Sequence, residues 1–211
     1  IVTAGPTREA IDPVRFLTNR SSGKMGYALA EALRDRGAVV TLISGPVALP
    51  APTGVELVPI TSTGDLQHAL DARVAKAQVL IQATAPADYT AAQYEEQKIK
   101  KQLGEQLTLH LKQTTDVAAL LGKTKQKNQI FVGFAAETQN GLENARRKLQ
   151  SKNLDMICLN DVSQPDAGFV VDTNRITMVT PKVVKPLPLL SKQQVAHRIL
   201  DEILHLQQDK V

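Results

Sequence analysis

The sequence predicts a three-layer α/β protein in which helices cover both faces of a mostly parallel sheet, with a small β extension near the C-terminal end. Short apolar segments alternate with amphipathic segments along most of the chain, which is the pattern of β–α–β units. The alternation changes after Asn160, where a turn-rich stretch over residues 161–174 precedes a segment of period two. The 211 residues, 43% of them hydrophobic, are enough for one core, and we expect residues 1–211 to form a single domain.

The first β–α–β unit occupies the N-terminal fifth of the chain. Residues 1–4 form a short β-prone run, and residues 39–43 form a second apolar strand. Helical spacing between them predicts a helix that opens at about Ser22, with Ser21 or Ser22 as its cap, and that stops at Gly37. Its inward stripe consists of Met25, Ala28, Leu29, Ala32 and Leu33.

The same reasoning assigns the remaining elements. Strands are predicted around residues 57–58, 79–81, 130–134, 154–159 and 175–179. Helices are predicted over residues 62–77, 117–121, 142–149 and 195–206. Thr114 or Thr115 is the expected cap of the second of these helices, and Ser191 with Gln194 forms a capping box before the last.

The polar turn over residues 19–26 is the predicted ligand site. It runs into the first helix, so unpaired amides at the helix start would face a ligand, and the glycines would let a phosphate approach them. A P-loop is excluded because Thr18 stands where its first glycine belongs, and the dinucleotide pattern fails because only Gly23 and Gly26 are present. An ordinary capped helix with small residues for close packing remains the alternative.

Two further segments are candidates for the same crevice. The strand at residues 79–81 ends in small residues that lead to Asp88, and ligands of open parallel sheets lie beyond the carboxyl ends of the strands. Asp88 is otherwise an ordinary turn residue. Residues 89–109 are polar and include the lysine run 98–101, which is either a solvated face or a lid that brings lysines onto a phosphate. The long stretch 8–18, which carries Arg15, is also expected to be a functional loop.

Composition excludes several function classes. A net charge of +4 suits an anionic small molecule, and 3% aromatic residues without interleaved basic residues argue against nucleic-acid binding. No apolar segment approaches the length of a membrane span, and Cys158 lies in an apolar run as a buried thiol would in a reducing compartment, so we expect a cytoplasmic protein. The four histidines lack the clustering of a structural metal site.

Six motifs in order and spacing carry a resemblance to a known family. They are T-A-G-P-T-R, D-P-V-R-F-L-T-N-R-S-S-G-K-M-G, A-P-A-D-Y, K-I-K-K, G-F-A-A-E-T and K-N-L-D-M-I-C-L-N. From Ile1 to at least Asn174 the chain resembles phosphopantothenoylcysteine synthetase, a phosphopantothenate–cysteine ligase of coenzyme A biosynthesis. The resemblance implies a Rossmann-like domain that works as a homodimer, with the β extension as a possible interface. It also implies a fused flavin-dependent decarboxylase half upstream, which would account for a chain that begins inside a strand.

The resemblance implies a reaction. The family condenses 4′-phosphopantothenate with L-cysteine, in bacteria with CTP and Mg²⁺, through an acyl-cytidylate intermediate that releases pyrophosphate and then CMP. No residue pattern here reads a pyrimidine edge, so the choice of CTP over ATP follows from the resemblance alone.

The resemblance also implies roles for particular residues. Asn19 matches the amide that holds the acyl group, and Lys98 matches the lysine of the bacterial flap. Arg15 matches an arginine that reaches the substrate from the other subunit. Ala85 and Asp88 match the wall against the pantothenoyl arm, beside which Thr84 replaces the usual alanine. Residues that match the nucleotide-binding positions are Gly5, Ser21, Gly23, Gly26, Phe134 and Asn160.

Two other functions remain open. Tyr94 and Lys98 have the Y-x-x-x-K spacing of short-chain dehydrogenases, but the glycine-rich first turn of a nicotinamide oxidoreductase is missing. A non-catalytic nucleotide-binding module is the second alternative, against which Asn19 and Lys98 argue.

Overall fold

The computed structural model describes residues 1–101, 104, 106–137, 139–161 and 168–210. In order, the strands are β1 (Val2–Ala4), β2 (Arg8–Ala10), β3 (Phe16–Thr18), β4 (Thr41–Ser44), β5 (Glu56–Pro59), β6 (Val79–Gln82), β7 (Tyr89–Ala91), β8 (Leu111–Gln113), β9 (Ile130–Glu137), β10 (Met156–Asp161), β11 (Thr173–Asn174), β12 (Ile176–Val179), β13 (Val184–Pro186) and β14 (Leu190–Ser191). The helices are α1 (Lys24–Asp35), α2 (Thr63–Asp71), α3 (Val117–Thr124), α4 (Gly141–Ser151) and α5 (Lys192–Gln208), and a 3₁₀ turn covers Val74–Lys76.

One large sheet organises the molecule. Its strand order is β13-β12-β10-β9-β6-β1-β4-β5. The six strands from β10 to β5 pair in parallel, whereas β12 and β13 are added antiparallel at one side. The predicted α/β class with a mostly parallel sheet is therefore confirmed, and the change of pattern after Asn160 marks where the antiparallel strands begin.

Each face of the sheet has its own core, because alternate residues of every strand point to opposite faces. On one face, Val2 and Met156 pack with Leu29 of α1 and Ile199 of α5. On the other, the packing partners of the strands come from α2, α3 and α4, and they include Leu66, Leu121 and Leu149. This arrangement is the predicted three-layer architecture. Cys158, as expected, is fully buried in the first core.

Two predicted helix starts are wrong. The cap of α1 is Gly23, with φ of 78° and no side-chain cap bond, and the Ser22 hydroxyl instead donates to the carbonyl of Phe169. The cap of α3 is Asp116, whose Oδ1 accepts from the Ala119 amide at 3.0 Å. Thr114 lies two residues before this cap, and its hydroxyl donates to the Ala87 carbonyl at 2.6 Å. The Ser191 capping box of α5 is confirmed.

Element boundaries differ at two other places. The strand predicted from residue 39 begins at Thr41, and Val39 is fully exposed because the chain is still leaving the turn at Gly37. The helix predicted over residues 62–77 ends at Asp71 and continues only as a 3₁₀ turn.

Hairpin-like pairs replace two predicted loops. Residues 8–18 contain the antiparallel pair β2–β3, and residues 89–91 pair with residues 111–113 as β7–β8. Sequence periodicity missed both because each strand has three residues, too few for alternation to register. The turn between β2 and β3 is held by Asp12, whose Oδ1 accepts from the amides of Val14 and Arg15.

The C-terminal extension lies partly within the main sheet. β12 and β13 extend it, and β11 pairs separately with β14. Residues 162–167 of the predicted turn-rich stretch lie outside the described residues, as do Thr138 of the G-F-A-A-E-T motif and residues 102, 103 and 105 of the predicted lid. Within the described part of the chain, none of the helices is both long and apolar enough to cross a membrane.

Candidate functional site

A cleft of about 330 Å³ lies beyond the carboxyl ends of β6, β9 and β10, against the start of α1. This is the edge at which open parallel sheets bind ligands. The structure brings most of the predicted site residues together here. Those that line the cleft are Asn19, Ser21, Gly23, Gly26, Ala85, Asp88, Phe134 and Asn160.

The glycine turn at the start of α1 requires glycine for backbone reasons. Gly23 has φ of 78°, and a Cβ built on it would lie 2.9 Å from Val47 Cγ1. Gly5 also has a positive φ, of 74°, and its carbonyl accepts from the Ala85 amide at 2.9 Å. Gly5 does not line the cleft but supports both the turn and the wall opposite, so its contribution is to hold the backbone.

Gly26 lies where α1 crosses β1. A Cβ at this position would lie 2.5 Å from Ala4 Cβ and 2.9 Å from the Thr3 carbonyl oxygen. Gly26 therefore permits close packing of helix on strand, which was the alternative interpretation of this sequence, although it also lines the cleft.

Asn19 joins the two walls of the cleft. Its Nδ2 donates to the carbonyl oxygens of Ala85 at 3.0 Å and Pro86 at 2.9 Å. Because both partners are acceptors, the amide orientation follows from the hydrogen bonds. The residue predicted to hold the reacting acyl group thus fixes the A-P-A-D wall to the glycine turn in this structure.

Thr84, where the resemblance leads us to expect alanine, has a partner for its hydroxyl. The hydroxyl donates to the Ala4 carbonyl at 3.3 Å, and the Thr84 amide donates to Thr3 Oγ1 at 3.1 Å. The substitution therefore ties the end of β6 to β1.

A second lobe of about 430 Å³ continues the cleft toward α3. The two lobes share Thr84, Pro86, Asp88, Phe134, Lys148 and Lys152. Phe134 therefore lies between them, and the whole crevice can hold a ligand longer than either lobe, or two ligands side by side.

Two lysines, one in α4 and one at its C-cap, were missed by sequence reasoning. Lys148 and Lys152 are one helical turn apart and line both lobes. Lys148 forms an ion pair with Glu137 at 2.6 Å and Lys152 with Asp116 at 3.0 Å, so both ammonium groups are held at the crevice. The i,i+4 spacing could have indicated a shared face, but only the position of α4 in the fold shows that this face borders the cleft.

Basic side chains outnumber acidic ones in the described lining of the first lobe, although three of its four lysines form ion pairs with carboxylates outside that lining. Among the described residues that line it, Lys24, Lys148, Lys152 and Lys192 carry positive charge, and Asp88 alone carries negative charge. Such a cleft attracts an anion.

Two buried polar atoms at the crevice lack a protein partner in the described part of the chain. They are Asn160 Oδ1 in the first lobe and Gln82 Nε2 in the second. Asn160 is only 7% exposed. A buried unpaired acceptor is costly, and a hydroxyl or amine of a bound ligand would satisfy it.

Arg15 and Lys98 are not among the residues that line the cleft. The Arg15 guanidinium donates to Asp12 at 3.1 Å and to the Ile99 carbonyl at 3.0 Å, and so fastens the lysine run itself to the β2–β3 hairpin. Lys98 is exposed, and its segment is not helical, so the Tyr94 and Lys98 pair lacks the helix that would align it in a dehydrogenase.

The carboxyl of Asp12 is the centre of this attachment. Burial pushes its pKa up, but hydrogen bonds from the amides of Val14, Ile99 and Arg15 outweigh burial and leave the pKa below its usual value. Asp12 is therefore ionised at neutral pH and holds the hairpin and residue 99 together.

The model of the family described as DNA/pantothenate metabolism flavoprotein C-terminal domain matches residues 1–206. The chain is 50% identical over 208 residues to the coenzyme A biosynthesis bifunctional protein CoaBC of Bacillus subtilis (strain 168); the match covers 98% of the chain and 51% of that protein. The chain thus spans about half the length of the curated relatives it matches.

Solved structures give the same picture of the fold. The crystal structure of the C-terminal domain of a coenzyme A biosynthesis bifunctional protein CoaBC has a TM-score of 0.83 at 41% identity, covering 98% of this chain and 94% of that one. A Cab2 mutant in complex with phosphopantothenate-cysteine has a TM-score of 0.79 at 14% identity, covering 99% of this chain and 85% of that one, and shares the fold.

Proposed function

This chain belongs to the family of DNA/pantothenate metabolism flavoprotein C-terminal domains, and on that premise we propose that it is a ligase that joins 4′-phosphopantothenate to L-cysteine in coenzyme A biosynthesis. The relatives named for coenzyme A biosynthesis support this proposal, as does a structure of the same fold that binds phosphopantothenate-cysteine.

The observation that carries the proposal is the junction at Asn19. One side chain joins an anion-binding glycine turn to the small-residue wall that ends in Asp88. A ligase that activates a carboxylate must hold a triphosphate and an acyl chain within reach of each other, and this junction brings the two predicted binding surfaces to one point. The lysines that line the first lobe suit two anionic substrates.

In the proposed reaction, the carboxylate of phosphopantothenate attacks the α-phosphorus of CTP and pyrophosphate leaves. The cysteine amine then attacks the acyl carbon of the acyl-cytidylate, and CMP leaves. Gly23 and Ser21 contribute backbone and hydroxyl donors to the phosphates, while Lys148 and Lys152 neutralise their charge. Phe134 offers an aromatic face to the nucleoside, and Asn160 Oδ1 accepts from a hydroxyl or amine.

Asn19 and Lys98 have the catalytic roles in this proposal. The Asn19 amide donates to the acyl oxygen as negative charge develops, exchanging a bond to the wall for one to the substrate. Lys98 belongs to the segment that Arg15 and Asp12 fasten at Ile99, and it reaches the intermediate when that segment closes over the cleft. Ala85 and Asp88 contact the pantothenoyl arm.

Mg²⁺ is proposed to bind with the triphosphate. Among the described residues lining the first lobe, Asp88 is the only carboxylate, so the protein offers Mg²⁺ few ligands of its own. This donor set fits a cation that takes most of its ligands from phosphate oxygens and water.

We propose a homodimer through the hairpins. Val14, Phe16 and Leu111 are exposed apolar residues of the two hairpin regions, and Arg15 lies among them with 40% of its side chain exposed. A second copy against this surface would cover the apolar side chains and bring its own Arg15 toward the neighbouring cleft. Sedimentation of Phe16→Lys, with Val183→Lys in the C-terminal extension as comparison, tests which surface is used; a monomer only with Val183→Lys would place the interface in the extension.

The remaining expectations follow from the same premise. We propose that the chain is the C-terminal half of a fused protein with a flavin-dependent decarboxylase upstream, and that it works in the cytoplasm. The length relationship to the curated relatives supports the fusion.

The test is pyrophosphate release from purified protein with Mg²⁺, phosphopantothenate and either CTP or ATP, with and without cysteine. Release with CTP before cysteine is added, followed by CMP and product after it, is expected. Release with ATP instead would reverse the nucleotide assignment. Tight nucleotide binding without release, also in a fused protein carrying the upstream half, would favour the non-catalytic module.

A further inference from the structure

The segment over residues 168–172 borders the first lobe through its first two residues. Gly168 and Phe169 line the lobe next to Ser22 and Lys24. This segment has no regular secondary structure of its own, so its position must come from contacts with neighbouring elements.

Three side chains supply contacts to it, from the first residues of α1 and α5 and from Ser22 just before α1. Ser22 donates to the Phe169 carbonyl, and Lys24 Nζ donates to the Val170 carbonyl at 2.7 Å and to Asp172 at 2.6 Å. Lys192 Nζ, from the first residue of α5, donates to the carbonyls of Gly168 at 2.9 Å, Phe169 at 3.4 Å and Val171.

A buried lysine such as Lys192 is unusual in a contact that only stabilises the fold. It is 5% exposed, and no ion pair joins its ammonium to a carboxylate in the described part of the chain. A buried ammonium that is balanced only by carbonyls costs desolvation energy, so an apolar residue would make a more stable contact. All three of its N–H donors are used on the same short segment, which fixes that segment more strictly than packing would.

We propose that Lys192 is a positioning residue for the reaction: its ammonium holds residues 168–172 against the start of α1 and thereby sets the wall that faces the nucleotide. The inference rests on the proposed function for the identity of the ligand. That Lys192 holds the segment in place does not depend on the proposed function.

The protonation state of Lys192 makes this testable. Burial and the nearby Lys24 lower the pKa of Lys192 to about 8, against the opposing effect of Asp172. The other charged residues that line the same two pockets as Lys192 are Glu31, Asp88, Lys148 and Lys152. Above this pH the neutral amine keeps two donors for three carbonyls, so the segment loses a bond and the charge together.

The chain contains no tryptophan, which allows a clean reporter. Phe169→Trp places a single indole on the wall. With Lys192 present, fluorescence anisotropy of the indole should be high and constant below pH 7.5 and should fall as the pH passes about 8 to 9. In the Phe169→Trp, Lys192→Met double variant it should be low at every pH.

Enzyme kinetics supply the second readout, measured on proteins that keep the native Phe169. Lys192→Met should raise the KM for CTP about tenfold with a smaller change in kcat, the scale that displaced binding groups produce. The wild-type KM should rise above pH 8, and that rise should be absent in Lys192→Met. Lys182→Met, an exposed lysine paired with Asp209, is the matched control and should change neither readout.

The outcomes separate this inference from the proposed function. The same pH-dependent anisotropy in both indole variants, or an unchanged KM in Lys192→Met, would overturn the positioning role. Absence of ligase activity in the wild type would refute the proposed function instead, and the fluorescence comparison would still decide the role of Lys192. Met is close to Lys in shape and apolar, so Lys192→Met should fold, and its thermal midpoint is measured alongside.

Discussion

Asn19→Asp tests the junction between the two walls of the cleft. The replacement keeps the size of the side chain, but it removes both donors and places carboxylate oxygens where the carbonyls of Ala85 and Pro86 are 3.0 and 2.9 Å from Nδ2. Asn19 is exposed, so the fold itself should tolerate the change. What should suffer is the alignment of the glycine turn with the A-P-A-D wall, and any donation to the reacting acyl oxygen.

The size of the effect can be worked out. Each lost hydrogen bond contributes about 1 kcal/mol, so the loss of two costs about 2 kcal/mol. The equilibrium between joined and separated walls then shifts by a factor of roughly 30 toward separated walls. The new charge also repels the phosphates by about 1 to 4 kcal/mol at 4 Å, depending on how much water remains. Together with the loss of a donor to the developing oxyanion, we expect a decrease of about 10² to 10³ or more in the rate of the first step.

The assay is pyrophosphate release in the absence of cysteine, which isolates formation of the acyl-cytidylate. Asn19→Ala removes the donors without adding charge, so the difference between the two variants gives the electrostatic part. Thermal unfolding of both should resemble the wild type. Pyrophosphate release by Asn19→Asp at the wild-type rate would refute the reasoning and remove Asn19 from the mechanism.

Three further predictions concern other parts of the molecule. Lys98→Ala should slow the attack of cysteine on the intermediate about tenfold or more, measured by rapid quench, with little change in CTP affinity. A loss confined to CTP affinity would make Lys98 a binding residue. Gly26→Ala should lower the free energy of unfolding in urea by about 1–3 kcal/mol because its methyl would meet Ala4 at 2.5 Å, and wild-type stability of this variant would contradict the packing role. Gly37→Ala, with open space around it, should show only the strain of a positive φ. Since the folded-state pKa of Asp12 is lowered, its stabilisation is present above pH 4 and is lost as the pH falls through the folded pKa; Asp12→Asn should flatten that acid loss, and an unchanged acid profile would exclude Asp12 as its source.

The sequence predicted the layers because apolar and amphipathic segments alternate along it, and it predicted the sheet edge where the cleft lies because that edge follows from strand ends. Apolar runs located β1, β6, β9 and β10, and parallel pairing brings their carboxyl ends to one edge. Phe134 and Asn160 lie in the carboxyl halves of β9 and β10, Asp88 follows β6 by six residues, and Asn19 reaches the same cleft from the end of the β2–β3 hairpin.

The lysines of the cleft could not be found in the same way. Lys148 lies on the polar face of an amphipathic helix and Lys152 caps its C-terminal end, both places where lysines are ordinarily solvated. Only the packing of α4 beside β9 and β10 brings them to the crevice. Lys192 follows a capping serine, a position that reads as exposed, and its burial depends on a segment more than twenty residues earlier. Tertiary packing decides these roles after local preference has placed the helices.

The complete burial of Cys158 has a consequence for the chemistry of the protein and for its labelling. The only thiol of the chain is fully buried, and burial raises its pKa far above the ordinary value, so the reactive thiolate is absent at working pH. A protein proposed to handle free cysteine thus exposes no sulfur that cystine could capture as a mixed disulfide. Its catalysis should be indifferent to alkylating reagents at concentrations that leave the fold intact, and single cysteines introduced at the cleft can be labelled selectively without first replacing the native one.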